Sequence, residues 1–244
     1  MKMKRTLYSF GAAALLAGTM VFGHEHHEVH WDYDAHGPAH WCDFSAVCKD
    51  GKAQSPIDIH TADTVSIAQN HIIKMDENAM SDVDIVDNGH AIQVNVQNGG
   101  KITVEGVDYK LIQFHFHGKS EEKINGKQYD LVAHMVHKSD AGNLLVVGVL
   151  FEKGEKANEM LDKVINGVGK HGLINPGQLL PEHSDHYYHF MGSLTTPPCS
   201  ENVRWYVMKE VQSATKEQIE AMRKFYDHNY RPTQPLNGRV VEAK

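Results

Sequence analysis

Cysteine, excess positive charge and long apolar runs are all scarce in this chain. Three cysteines in 244 residues are too few for a disulfide-rich scaffold. An odd number leaves one thiol over, and spacing alone does not decide which two would pair. The formal net charge of −7 at neutral pH argues against nucleic acid or an anionic membrane surface as a partner. After residue 23, no stretch approaches the roughly 20 apolar residues that a membrane span requires.

Internal repeats, low-complexity blocks and Pro- or Ser-rich linkers are also absent from the sequence. Nothing therefore marks a boundary between domains, and about 220 residues is an ordinary length for one all-β domain. We expect a single domain over residues 31–244.

Residues 1–23 have the composition of a secretory signal peptide. Lys2, Lys4 and Arg5 precede a short apolar segment over 10–22, and small residues stand at the expected cleavage offsets before His24. The alternative is an uncleaved anchoring helix, for which the apolar run is short. Cleavage would change the formal charge from −7 to −10, because these residues hold three basic and no acidic side chains. We expect a periplasmic or secreted protein with no membrane partner after cleavage, in a compartment that permits a disulfide.

The segment 24–30 carries four histidines, namely His24, His26, His27 and His30. We interpret it as a flexible, solvated N-terminal tail. The alternative is a weak zinc-scavenging segment that serves a metal site elsewhere in the chain.

Alternation of apolar and polar residues dominates the remainder and predicts strands. The predicted strands are 90–96, 101–107, 109–117, 131–137, 144–151 and 203–208, with a hairpin turn at Asn125 and Gly126. Helical spacing is confined to 156–166 and 215–228, the latter opening with a capping box of Thr215 and Gln218. The predicted fold class is mainly β: one large, mostly antiparallel sheet with small peripheral helices.

The stretch 112–117 combines this alternation with histidine. Period 2 places Phe114 and Phe116, with Ile112, on one face and His115 and His117 on the other. Two imidazoles from one strand face can meet on a zinc ion, which in a catalytic site takes three protein ligands and water. His134, in the next predicted strand, is a third candidate. With 18 histidines in the chain, a chance His-x-His pair is the alternative.

Several motifs together resemble the α-class carbonic anhydrases, and in particular their secreted bacterial members. They are QSPIDI at 54–59, NGH at 88–90, QFHFH at 113–117, SE at 120–121, HMVH at 134–137, GSLTTPP at 192–198 and RPTQPL at 231–236. They occur in the family's order from about Trp31 to Val241, which covers nearly the whole chain after the signal peptide.

The resemblance implies a central twisted sheet of about ten strands and reversible hydration of carbon dioxide to bicarbonate and a proton by a zinc-bound hydroxide. It implies His115, His117 and His134 as Zn²⁺ ligands, Thr195 and Glu121 as the pair that orients the nucleophile, and His90 as the proton shuttle. From the residues alone, His90 would be an ordinary turn histidine. The other positions carried over are Val136, Val146, Leu194 and Trp205 in the apolar substrate pocket, Thr196, Gln93 and Gln113 in its polar wall, Tyr33 and Asn88 in a water network, and Cys48 with Cys199 in a disulfide. The resemblance also favours a homodimer. It leaves Cys42 as the odd thiol, which we expect to be unpaired; the alternative is a bond between two chains.

Two positions depart from the family's pattern. Val132 stands where the family has a glutamate that accepts from the third histidine, and Glu122 stands where it usually has a histidine. We hypothesise that Glu122 accepts from His134 in place of the missing carboxylate; the alternative is a surface Glu122 with water behind His134. Phe190 replaces a usual tyrosine, and we expect the loss of its hydroxyl to have a modest cost and to leave the function intact.

Two rival functions remain as alternatives to catalysis: a fold relative that binds without catalysis, and a zinc-buffering protein.

Overall fold

A mixed sheet of twelve strands dominates the described part of the chain. The computed structural model describes residues 30–67 and 79–244, so the predicted signal peptide and all but the last residue of the segment 24–30 lie outside the described residues. The strands are β1 (Asp58–Ile59), β2 (Val65–Ser66), β3 (Ser81–Asp87), β4 (Ile92–Gln97), β5 (Lys101–Val104), β6 (Val107–His117), β7 (Lys123–Ile124), β8 (Lys127–Gln128), β9 (Leu131–Ser139), β10 (Leu144–Lys153), β11 (Lys170–Ile174), β12 (Tyr187–Ser193), β13 (Glu201–Met208), β14 (Gln212–Ala214) and β15 (Glu242–Ala243). The strand order in the large sheet is β11-β3-β4-β6-β9-β10-β13-β12-β15-β2, with β5 on β6 and β14 on β10.

Most strand pairs in the large sheet are antiparallel, as predicted, and the fold class is confirmed as mainly β. The exceptions among the described pairs of this sheet are β10 with β13, β10 with β14, and β15 with β2, which run parallel. Strand β10 is buried along almost its full length. This agrees with its continuously apolar sequence, because a central strand is covered on both faces.

The sheet separates two apolar cores. Residues such as Phe114, Met135 and Val147 fill one face. Val132, Val136 and Trp205 belong to the cluster on the other. The faces alternate along each strand because successive side chains point in opposite directions.

Strand β6 corrects one prediction. Ile112 is 40% exposed and lies outside the core, because the register of β6 against β9 shifts between Leu111 and Gln113. This irregularity inserts one extra residue, so that Leu111, and not Ile112, shares the core with Phe114 and Phe116. The histidine face is unaffected, because the shift lies before Gln113.

The small helices lie outside the sheet, and their caps follow the sequence. The described helices are α1 (Val47–Asp50), α2 (Glu159–Gly167) and α3 (Lys216–Arg223), with 3-10 turns at Trp41–Asp43, Thr61–Asp63 and Pro176–Leu179. The predicted capping box of Thr215 and Gln218 begins α3, but the helix ends five residues earlier than predicted. Beyond it, the chain turns to pack against the end of β6. No helix in the described ranges is long and apolar enough to cross a membrane.

The predicted hairpin at 125–126 is present as the connection between β7 and β8. Asn125 and Gly126 both have positive φ, at 50° and 79°, as a tight hairpin turn requires. These strands and β1 form a separate three-stranded sheet.

Candidate metal centre

Strand register brings three histidines to one point on the sheet. His115 on β6 lies directly opposite His134 on β9, and His117 follows two residues later on the same face. The ring centroids are 5.0 Å apart for His115 and His117, 5.4 Å for His115 and His134, and 4.7 Å for His117 and His134. One nitrogen from each ring lies within 4.8 Å of the other two. The sequence predicted this group, and it is the one set of three potential metal ligands found among the described residues.

The second nitrogen of each ring forms a hydrogen bond to an oxygen. Nδ1 of His115 lies 2.9 Å from Oε1 of Gln113, and Nδ1 of His117 lies 2.5 Å from the backbone oxygen of Asn229. Nε2 of His134 lies 3.1 Å from Oε2 of Glu122. Because these oxygens accept hydrogen bonds, each facing nitrogen carries the proton. The inward nitrogens, Nε2, Nε2 and Nδ1 in turn, are then unprotonated and have lone pairs for a metal.

The inward nitrogens fit a zinc ion. Nε2 of His117 is buried without a hydrogen-bond partner among the described residues, which is unusual for a buried polar atom. Three converging imidazole nitrogens are a ligand set that zinc takes in catalytic sites, with a fourth position open. Outward nitrogens held by oxygens are the usual support for such ligands.

Burial keeps these rings neutral. It lowers the pKa of His117 to about 4 and the pKa values of His115 and His134 well below their ordinary range. A neutral imidazole is the form that binds a metal, so this environment prepares the group for a cation at neutral pH.

Glu122 occupies the space behind His134. It is fully buried, and burial raises the pKa of its carboxyl to about 7. Val132 lies on the same strand face as His134 and is also fully buried. Its hydrocarbon side chain has no atom that could accept a hydrogen bond from His134. The structure therefore places a carboxylate against His134 from the position after Glu121 and not from β9.

The neighbouring Glu121 faces the rings of His117 and His134. Its Oε1 accepts a hydrogen bond from the backbone N–H of Arg231 at 2.7 Å, and its Oε2 lies 3.4 Å from Nε2 of His117 and 3.8 Å from Nδ1 of His134. Burial, followed by the charge of Glu122, raises the pKa of Glu121 well above its usual value, and hydrogen bonding from the Thr195 side chain opposes this rise. Thr195, Glu121 and the histidines are thus brought together.

The predicted pocket residues share the same face of the sheet. Gln113, Val136, Val146 and Trp205 stand opposite one another across four strands. The Trp205 ring lies 4.9 Å from the His134 ring. Leu194 packs against this apolar cluster. Phe190 belongs to the same cluster, and its ring stacks on that of Trp205 with a centroid distance of 6.0 Å. The phenylalanine that replaces the expected tyrosine therefore packs in an apolar environment.

The predicted polar residues near the histidines interact with different groups. Gln113 holds the His115 ring, which the prediction of a polar wall did not include. Gln93 lies opposite His115 and accepts from the side-chain amide of Asn88 at 3.0 Å. Burial and the negative charge of Glu121 raise the pKa of Tyr33 well above its usual value.

His90 lies in the turn before β4. Its ring stacks on Trp31 with a centroid distance of 3.8 Å and an interplanar angle of 13°. The side chain of Asn88 accepts hydrogen bonds from the backbone N–H groups of His90 and Ala91 at 2.9 and 2.8 Å. This is an Asx turn, which orders the segment locally.

A disulfide braces the loop that carries Thr195 and Thr196. Cys48 and Cys199 are bonded, Trp41 packs fully buried beside them, and Cys42 retains a free thiol. The backbone oxygen of Thr196 accepts from the N–H of Cys199 at 2.8 Å. The loop is thereby tied to the N-terminal segment.

Asn229 and Arg231 contact the site, although no role was predicted for either. Asn229 uses its backbone oxygen on His117, and Arg231 uses its backbone N–H on Glu121. Backbone groups have no residue signature, so no sequence pattern could identify these contacts. The motif 231–236 marked the segment without indicating what it does.

Comparison with known proteins identifies the family. A family model described as eukaryotic-type carbonic anhydrase matches residues 36–244. The chain is 41% identical to a carbonic anhydrase of Neisseria gonorrhoeae, covering 98% of both chains, and 39% identical to one of Pectobacterium atrosepticum, covering 87% of this chain and 90% of the relative. The structure of the α-carbonic anhydrase of Thermovibrio ammonificans in complex with the inhibitor sulfanilamide is similar, with a TM-score of 0.81, 44% identity and coverage of 87% of this chain and 98% of the other. These matches show that the chain belongs to the α-carbonic anhydrase family.

Proposed function

We propose that this protein catalyses the zinc-dependent, reversible hydration of carbon dioxide to bicarbonate and a proton. The observation that carries the proposal is the convergence of one nitrogen from each of three imidazole rings. The second nitrogen of each ring forms a hydrogen bond to an oxygen. In this proposal His115, His117 and His134 hold the ion. Zinc in such a site supplies a positive charge that lowers the pKa of bound water from 15.7 to about 7.

Glu121 and Thr195 orient the attacking oxygen. When ionised, the Glu121 carboxylate can only accept hydrogen bonds, so the Thr195 hydroxyl donates a hydrogen bond to it. The hydroxyl oxygen is then left as an acceptor for the proton of the nucleophile, whose lone pair is directed at the substrate carbon. The backbone N–H of Arg231 holds the carboxylate in place.

The apolar wall binds the uncharged substrate. Val136, Val146, Leu194 and Trp205 lie on the histidine side of the sheet and exclude water from the space where carbon dioxide would lie. Thr196, Gln93 and Gln113 give this space a polar side. An apolar pocket favours neutral carbon dioxide over charged bicarbonate, which assists product release.

His90 removes the proton. An imidazole with a pKa near 6.5 accepts and releases protons near neutrality, and Tyr33 and Asn88 order water between it and the metal. Glu122 keeps the protonated nitrogen of His134 pointing outward, so that the other nitrogen stays available to the ion.

The proposed organisation is a signal peptide over 1–23, a histidine-rich segment over 24–30 and the catalytic domain over 31–244. The disulfide between Cys48 and Cys199 and the bacterial relatives support a periplasmic or secreted location. A homodimer is part of the proposal and is testable by light scattering.

Stopped-flow carbon dioxide hydration tests the function. The purified chain should contain one tightly held zinc, lose activity on chelation and recover it when zinc is returned. His134→Ala should lose both the zinc and the activity. Bicarbonate production that is unaffected by chelation or by His134→Ala would overturn the proposal. Deletion of residues 24–30 after the leader should leave activity intact, which separates catalysis from zinc buffering.

A further inference from the structure

Asn229 forms four hydrogen bonds around the end of β6. Its backbone oxygen accepts from the ring of His117 at 2.5 Å, and its side-chain oxygen accepts from the N–H of Gly118 at 2.7 Å. Its side-chain nitrogen donates to the backbone oxygens of Phe116 at 3.0 Å and His90 at 3.1 Å. Because Asn229 is only 2% exposed and uses both amide protons, its orientation is fully determined.

The chain around Asn229 lies unusually close to β6. A Cβ atom added at Gly118 would lie 2.1 Å from the backbone oxygen of Tyr226, so only glycine fits between the two segments. Nε of Arg223 also donates to the backbone oxygen of Gly118 at 2.7 Å. We call residues 223–229 the clamp segment, because three of its residues, Arg223, Tyr226 and Asn229, contact the end of β6.

The same segment reaches the turn that carries His90. The hydroxyl of Tyr226 donates to the carboxylate of Asp87, and Asn229 donates to the backbone oxygen of His90. The turn is therefore fastened at both ends to a segment that is itself fixed to the histidine strand. The ring of His90 has a further contact on Trp31.

We propose that the Asn229 side chain is a positioning residue that holds the His90 turn at a constant distance from the metal strand. This inference rests on the proposed function, in which His90 accepts the proton. Proton transfer through ordered water depends on a fixed separation, and misplacement of a reacting group by about 1 Å can cost about 100-fold in rate. The asparagine contributes to the metal site through its backbone and to the turn through its side chain.

This division makes the role testable by truncation. Asn229→Ala keeps the backbone oxygen that His117 uses and removes the bonds to His90, Phe116 and Gly118. The proton leaves the active site after bicarbonate has formed, so a fault at His90 enters kcat and not kcat/KM. We expect kcat in weakly buffered solution to fall about tenfold, with a much smaller change in kcat/KM. Free imidazole should restore kcat, because it replaces the displaced acceptor.

A second readout does not depend on activity. Backbone hydrogen exchange in residues 88–91 and at Gly118 should become faster in Asn229→Ala, with or without zinc, because the turn loses one of its two attachments. Asn175→Ala is the matched control: Asn175 is also buried, and its side chain accepts from the N–H of Gly177 in a different part of the fold. The control should leave the kinetics and the exchange of residues 88–91 unchanged.

Three outcomes would overturn the inference: equal falls in kcat and kcat/KM, no rescue by imidazole, or unchanged exchange of residues 88–91. Should Asn229→Ala not fold, Asn229→Asp decides by the same readouts. Aspartate has the same size and keeps the acceptor for Gly118, but it loses the donor to His90. Absence of carbon dioxide hydration in the wild type would refute the proposed function, whereas the exchange measurement would still test the attachment.

Discussion

The Glu122 carboxylate lies 3.1 Å from Nε2 of His134, with both groups buried. Val132 occupies the strand position from which related enzymes were expected to supply this carboxylate. His134 therefore donates its outward hydrogen bond to the residue next to Glu121, whereas Glu121 itself lies near the inward nitrogens of His117 and His134. Burial, followed by the charge of the adjacent Glu122, raises the pKa of Glu121.

The contact leads to a prediction on zinc affinity. Glu122→Ala should weaken zinc binding about 10- to 100-fold, because a ligand histidine that loses its outer partner is less well oriented and less basic. Competition with a chromophoric chelator measures this directly. Glu122→Gln keeps an acceptor oxygen and should lose less. Glu155→Ala, which removes an exposed carboxylate before α2, is the control, and equal affinity in all three variants would contradict the role.

Removal of the Thr195 hydroxyl should impair catalysis without releasing the metal. Thr195→Val has almost the same shape but can neither donate to Glu121 nor accept from the nucleophile. We expect kcat/KM for hydration to fall about 100-fold, in the range seen when one orienting hydrogen bond is lost, with zinc content unchanged. Thr195→Ser retains the hydroxyl and should recover most of the activity. A Thr195→Val enzyme with the kcat/KM of the wild type would exclude this residue from the mechanism.

The disulfide should contribute several kcal/mol to stability. Cys48 and Cys199 are 151 residues apart in the sequence, and closing a loop of that length restricts the unfolded chain by about 4–5 kcal/mol in the chain-entropy estimate. Cys48→Ser with Cys199→Ser should lower the free energy of unfolding in guanidinium by 2 kcal/mol or more (an order-of-magnitude figure, about 2–5 for native disulfides). Cys42→Ser is the matched control and should be neutral, because Cys42 is not bonded.

His137 should make stability depend on pH. It is fully buried, Nδ1 donates to the backbone oxygen of Met135 at 3.0 Å, and burial lowers its pKa to about 4. Between pH 4 and about 6.5 the unfolded chain binds this proton and the folded chain does not. The free energy of unfolding is therefore highest above pH 6.5 and falls as pH decreases, by about 1.4 kcal/mol per pH unit for this one group.

Denaturation of wild type and His137→Asn over this pH range measures the contribution. Asparagine keeps a donor for Met135 but does not titrate. The free energy of unfolding of the wild type should therefore fall relative to that of His137→Asn by about 3 kcal/mol from pH 6.5 to 4. The buried metal-site histidines affect both proteins equally and cancel in the comparison. Parallel curves would show that His137 is not buried as a neutral ring in solution.

Local sequence patterns located six of the strands, including the two that carry the candidate ligands, but they did not predict β3, β11 or β12. Alternation along 113–117 placed His115 and His117 on one face because side chains on a strand must alternate, and the capping box at Thr215 marked where α3 begins. These are interactions between residues close in sequence. The same alternation failed at Ile112, where a shifted register against β9 decides which side chain enters the core.

The amino-acid sequence by itself identified the residues whose chemistry suits the proposed roles of holding a metal and orienting a nucleophile. Only the tertiary structure decided how these groups are supported. The backbone oxygen of Asn229 on His117, the N–H of Arg231 on Glu121 and the fit of Gly118 against Tyr226 join segments more than 100 residues apart. Every residue carries the same backbone groups, so their partners depend on where the folded chain passes and not on side-chain identity.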